Sequence, residues 1–554
     1  MVTAVIASSF FLSGCMQEFE PQTSYVSSNQ AAEAPNSYDN FVNAIMNSLT
    51  VDQFSADSYP WDFGYPTFYL MWDVMGQDIA IRVLGNSAWY STWYTCGTAL
   101  GPQYLYSQVP WRYFYKYIKN CNTVISLGGE EPSAETKTGV GIAYAMRAFF
   151  YMDLAQMFSV KPYAMDKSAE TVPIITESSD LGSLSNNPRA TNEDMYAFIL
   201  RDLDKAEEFL AGYVRSDKYT PDLSVVYGLK ARTYLLTQDW ANAEKYAKLA
   251  QAGYHLMSDT QYTSRETGFN TPNDSWMLGL TYKSNDYCLQ TNDADSSWGS
   301  WMILEIDPYT SGCGYASSYG GPMNIDRHLY ETIPDSDFRK KCFVDFAIDE
   351  LDEADAIKAL SAYSDHPDWV YTTGEDAYGA VGGLSLKFRA AGGEAGRANQ
   401  YVGFVVAVPM MRVEEMYLIE AEAAGMQNEA RGIELLTAFG KSRDADYVYG
   451  SHKDMGDYGT ASIATNFQNE VWWQRRVEFW GEGFATKDIK RLNKGIIRSY
   501  ANSNHADTYQ WNIDTPPQWM SLCIVQTETN YNFACTNNPV PTPPTGGNSP
   551  EHIW

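Results

Sequence analysis

The stretch VVYGLKARTYLLTQDWANAEKYAKLAQAGYHL, residues 225–256, does most to narrow what this chain can become. Its apolar residues recur at helical spacing, Gln238-Asp239 marks a short turn, and a second helix follows with Ala243, Ala247 and Ala250 on one face. Small residues at that spacing let two helix backbones approach closely. A helix-turn-helix unit of this kind cannot bury its apolar face alone, so it must stack on similar units. The chain supplies them. GIAYAMRAFFYMDLAQMF places Ala143, Met146, Phe150, Leu154 and Met157 on one face. NEDMYAFILRDLDKAEEFL opens on Asn192 as the expected N-cap and continues through Met195, Ile199, Leu203, Ala206 and Leu210. EEMYLIEAEAAGMQNEARGIELLTAF repeats the plan, with a break expected near Gly425. The expected fold is mainly α, a degenerate tetratricopeptide-like helical repeat scaffold over about 104–255 and 409–495.

Between these halves the periodicity fails. SSWGSWMILEIDPYTSGCGYASSYGG is rich in Gly, Ser and aromatic residues. A long irregular segment inside a globular body is usually functional, so about 260–325 is expected to be a loop-rich ligand-binding excursion. Tyr and Trp number 40 and 16, more than a core alone would use, because each needs a place for its polar edge. Residues 500–554 are again loop-rich and end in a Pro-rich tail.

The N-terminus reads MVTAVIASSFFLSGCMQEFE. Its apolar run is short of the ~20 residues a membrane span needs and fits the apolar region of a secretory signal peptide. Leu12-Ser13-Gly14-Cys15 is similar to the lipobox of bacterial lipoproteins. That resemblance implies a signal peptide over 1–14 and lipidation of Cys15, followed by a flexible tether over 15–38 and the folded domain from 39 to 554. No Lys or Arg precedes Cys15, so the translation start is expected to lie elsewhere.

Composition and missing motifs exclude several functions. With 68 acids against 39 bases, the formal net charge is -29. Such a surface repels phosphate backbones, so nucleic acid is not an expected partner. No run of bases offers a site for acidic polysaccharide. The cysteines beyond Cys15 (96, 121, 288, 313, 342, 523 and 535) form no CxxC pair, and Cys523 and Cys535 are left open as a bridge or as free thiols. The histidines are scattered, and neither HExxH nor GxSxG occurs. Gly440-Lys441-Ser442 follows a helix and has Leu435 where a phosphate-binding loop needs its first Gly. DFAIDELDEADA lacks calcium-loop spacing and reads as a solvated helix face. No cofactor, metal or catalytic residue is expected.

Several stretches, in order, resemble the SusD/RagB family of outer-membrane lipoproteins. They are Arg147-Ala148-Phe149 in its helix, Asp202-Leu203 with Ala206, Pro334 with Asp337 and Arg339, PMMRVEEMYLIEAEA, and QRRVEFWGEGFATKDIKRL with Arg476, Glu478, Glu482 and Gly483. The resemblance implies a non-enzymatic glycan-binding lipoprotein at the cell exterior, lipid-anchored in the outer membrane. It also implies a partner, a TonB-dependent transporter of the SusC type to which captured oligosaccharide or polysaccharide passes. A peptide-binding member of the family is the alternative, and a helical glycoside hydrolase the alternative from another class.

Family motifs leave the ligand residues open, so these follow from sugar chemistry. A sugar ring has an apolar C–H face that an aromatic ring can cover, and hydroxyls that carboxylates, amides and Arg can bond. NSAWYSTWYTCG offers Trp89 and Trp93, and the irregular segment offers Trp298, Trp301 and Tyr315. Asp78 is the candidate polar contact, with a helix-surface acid as its plain alternative. Trp89 and Trp93 share a helix face, which suits a platform and a core stripe equally. Trp111 and Tyr115, in a regular helix, are assigned to the core.

Overall fold

The structure, a computed structural model, describes residues 37–51, 61–81, 88–290, 294, 296–309, 314, 316, 322–373 and 383–554. Its scaffold is a succession of helices: α1 Leu105–Gly128, α2 Lys137–Phe158, α3 Asn192–Phe209, α4 Leu223–Thr237 and α5 Trp240–Ala250, then α6 Val413–Gln427, α7 Glu429–Lys441, α8 Asn466–Glu478 and α9 Ala485–Arg491. From α1 to α7 each helix packs on the next, and α5 packs on α6 although more than 150 residues separate them in sequence. The tetratricopeptide-like reading therefore holds, with the repeat interrupted between α5 and α6.

Local chemistry sets the helix ends. Asp222 caps α4, accepting from the Ser224 and Val225 N–H groups. Gln238 closes α4 in the left-handed region at φ 58°, and Asp239 caps α5. At α3 the cap is Thr191, one residue before the expected Asn192, because Thr191 accepts from Asp194 N. Asn192 instead donates its amide to the Lys161 and Asp166 carbonyls, pinning the preceding loop. The break expected near Gly425 falls at Asn428, which ends α6 and caps α7. Gly425 serves packing instead. A Cβ on Gly432 would stand 2.2 Å from Gly425 Cα, so the α6–α7 crossing needs both glycines.

Strand β1, Trp276–Thr281, pairs antiparallel with β2, Ala407–Arg412, with Trp276 opposite Arg412 and Thr281 opposite Ala407. The ribbon is the neck of the excursion, since the chain leaves the scaffold through β1 and returns through β2 directly into α6. The non-scaffold segment between β1 and β2 thus runs on to residue 406. Among the described residues, no helix is long and apolar enough to cross a membrane.

Candidate binding site

Several of the motif residues quoted above build the joint between excursion and scaffold. Glu478, at the end of α8, is fully buried and lies 3.1 Å from Arg339, 3.0 Å from Arg412 and 3.0 Å from Arg443. Those arginines hold its carboxyl far below the usual carboxylate range, against the opposing effect of burial. Arg339 also pairs with Asp337 at 2.6 Å, and Glu482 takes Arg412 at 2.9 Å and Lys387 at 2.8 Å. In the scaffold, Arg147 grips Asp202 through two bonds of 2.7 and 2.9 Å. These buried charges are all matched by partners, and they position elements without facing a ligand.

Of the residues expected to meet a sugar, those whose side chains the structure describes are interior. Trp93 is 1% exposed, with the Tyr106 ring 5.0 Å away edge-on. Trp298 is 0% exposed against Phe388 at 4.8 Å, and Trp301 is 1% exposed against Tyr90 at 4.9 Å. The core alternative is the one realised for these three. Asp78 is bound to Arg476 at 2.7 Å, and its backbone carbonyl accepts from Trp480 Nε1. It is buried and turned toward Arg476, so its carboxylate is not presented to a ligand at the surface. Cys15 and Tyr315 lie outside the described residues, as does the side chain of Trp89. Among the described residues no group of His, Cys, Asp and Glu could hold a metal. Cys523 and Cys535 are free thiols.

A different set of residues comes together where the excursion meets the segment just before β1. A cleft of about 370 Å³ opens there, against about 30 Å³ or less for three cavities inside the scaffold. Tyr330 and Tyr363 supply half-buried aromatic walls. Burial and the neighbouring Asp345 carboxylate push both phenols above their ordinary value, so both hydroxyls stay protonated donors at neutral pH. Arg265, Lys340, Lys341 and Arg389 also line the cleft. Each has a carboxylate partner: Asp365 at 3.0 Å, Asp335 at 2.8 Å, Asp259 at 2.9 Å and Glu305 at 3.1 Å. The lining is therefore dense in donors and acceptors, its four cations are each paired, and the Asp345 carboxylate faces the tyrosines. Such a cleft can hold a polar, uncharged molecule with at least one apolar face.

Sequence reasoning missed this site because its residues come from four separated segments, near 263–265, 330–345, 362–363 and 389. LYETIPDSDFRKK carried the one available signal, with Tyr330, Asp335, Lys340 and Lys341 inside a motif read for its family likeness.

Residues 77–235 match a SusD-like family model described as starch-binding, associating with outer membrane. No curated protein matches the chain. Among solved structures, it is similar to a SusD-like carbohydrate binding protein from Bacteroides vulgatus at 21% identity and TM-score 0.68, covering 90% of this chain and 96% of that one. A SusD superfamily protein from Bacteroides thetaiotaomicron matches at 18% identity and TM-score 0.63, covering 91% and 99%. Surface glycan-binding protein A from the same organism matches at 17% identity and TM-score 0.60, covering 91% and 98%. These findings support the SusD/RagB recognition drawn from the motifs. The family match covers α1 to α4 and ends before the cleft, so the likeness speaks for the scaffold and leaves the ligand to be argued from the cleft itself.

Proposed function

We propose that this chain is a non-catalytic glycan-binding lipoprotein of the outer-membrane surface, which captures neutral oligosaccharide in the cleft between Tyr330 and Tyr363 and delivers it to a TonB-dependent transporter of the SusC type. The observation that carries the reading is the cleft's chemistry, aromatic walls among paired charges. A sugar ring lays its C–H face on a tyrosine and spreads hydroxyls to donors and acceptors on the rim. The likeness to structures described as carbohydrate and glycan binding points the same way. In this reading Cys15 carries the lipid, and residues 15–38 are the tether that lets the folded body reach above the membrane.

The test is direct. The purified chain is titrated with neutral polysaccharides (starch, arabinoxylan, galactomannan and laminarin) and the mixtures are assayed for new reducing ends. Binding to one of them without new reducing ends is the expected result. New reducing ends at a steady rate would establish the hydrolase reading. No binding to any, with binding to a peptide digest, would establish the peptide reading. For the anchor, Cys15→Ala is expected to free the protein from membranes, and unchanged membrane retention would remove that part of the proposal.

A further inference from the structure

A second aromatic surface stands beside the cleft. Tyr309 is 69% exposed, yet its hydroxyl lies 3.1 Å from Thr372 Oγ1, so the ring is pinned. Thr372 belongs to the helix Pro367–Thr373, and Trp369, three residues earlier, lies on the same helix face. The Trp369 indole is backed by the His366 imidazole, with centroids 3.8 Å apart and planes at 12°. His366 Nε2 in turn lies 3.0 Å from Glu394 Oε2. Backing on one side fixes the indole, and the ring remains partly exposed.

Arg265 makes the two surfaces continuous. It lines the cleft, and its Nη1 donates to Asp365, the residue before His366, at 3.0 Å. Its carbonyl accepts from Arg397 Nη1 at 3.0 Å, and Arg397 also bonds Glu394, the partner of His366. Tyr363 in the cleft wall and Trp369 are six residues apart, so their Cα atoms are separated by at most about 20 Å.

We propose that Tyr309 and Trp369 form a second sugar subsite, and that the site therefore selects an extended neutral glycan chain that reaches from the cleft to this platform. The proposal rests on the reading that the cleft holds a sugar. A single ring on a tyrosine or tryptophan is held weakly. When both rings belong to one covalent chain, the second contact forms at the effective concentration set by that chain, and affinity rises without any new type of contact. A disaccharide engages one surface at a time and gains nothing from the other. Between the surfaces, the Arg265–Asp365 pair presents a donor and an acceptor to the hydroxyls that cross it.

The experiment is calorimetric titration of the full folded chain with ladders of malto-, xylo-, manno- and laminari-oligosaccharides from disaccharide to decasaccharide. For the ladder that binds, affinity is expected to rise about tenfold or more between the disaccharide and the spanning length, then level off. Tyr309→Ala and Trp369→Ala are expected to abolish that rise, so that the longest chains bind each variant no more tightly than the disaccharide does. Tyr330→Ala is expected to lower affinity at every length. Tyr309→Ala is the decisive variant, because a ring 69% exposed contributes little to folding and its melting temperature should match the parent's. Full length dependence in both platform variants would overturn the second subsite and leave the cleft reading standing. No effect of Tyr330→Ala at any length would overturn the cleft reading, and the proposal with it. Binding to none of the ladders would overturn both.

Discussion

Trp93, Trp298 and Trp301 carry the right chemistry for a sugar platform and the wrong position. They pack edge-to-face against Tyr106, Phe388 and Tyr90 and are 1% exposed or less, so no ring surface is left to give a ligand. Trp298→Ala and Trp93→Ala are therefore expected to destabilise the fold by ~3–5 kcal/mol, as buried Trp truncations do. Glycan affinity per folded molecule should stay unchanged. The Trp298 indole N–H has no acceptor among the described residues, so Trp298→Phe removes an unsatisfied donor along with some volume and should cost clearly less than the Ala variant. Tyr330→Ala is expected to do the reverse. It should lower affinity by about tenfold or more while the melting temperature stays near the parent's, since a cleft wall open to solvent leaves no sealed cavity. Thermal melts and calorimetry on the four variants separate the two behaviours.

At the scale of elements, the joint between excursion and scaffold is a buried charge network in which Glu478 meets three arginines. Glu478 faces Arg339 from the excursion, Arg412 at the end of β2, and Arg443 just beyond α7. Glu478→Gln keeps the shape and removes one of the counter-charges that those guanidinium groups share with Asp337, Glu414 and Glu482, so a loss of stability smaller than the ~3–5 kcal/mol of a fully orphaned buried charge is expected in urea unfolding. The same site sets an acid limit. The folded-state pKa of Glu478 lies below its ordinary 4.5, so its contribution is complete above about 4.5 and declines as pH falls toward the folded value. Stability measured from pH 7 down to pH 3 should fall less steeply in Glu478→Gln than in the parent chain. An equal slope would show that other carboxylates govern acid unfolding.

At the scale of the molecule, a net charge of -29 coexists with a cleft whose cations are each paired. A neutral glycan entering such a site displaces no counterions, so affinity should change by less than about threefold between 50 and 500 mM salt. A steep fall would identify an anionic ligand held by Arg265 or the lysines. The architecture suits capture from solution. The scaffold helices stack from α1 to α7 through the α5–α6 contact, and this leaves residues 282–406 outside the stack, where they supply most of the cleft lining.

The sequence by itself determined the helical scaffold, because helix periodicity, small-residue faces and caps are local properties that a short window expresses in full. Thr191 in place of Asn192, and Asn428 in place of Gly425, are shifts of one and three residues within that legible part. The family motifs were legible too, though what they do was not. Arg339, Arg412, Glu478 and Glu482 look like ordinary surface charges in a sequence and prove to be a buried joint. Only the tertiary structure decided which aromatics face solvent. Trp298 and Trp301 sit in a Gly- and Ser-rich stretch that suggests a surface loop, yet the excursion folds them into the core. Tyr330, Tyr363 and Arg265 meet in a cleft only because β1 and β2 close the neck and bring distant segments together. Exposure is a property of what packs against a residue, and that packing partner can be encoded a hundred residues away.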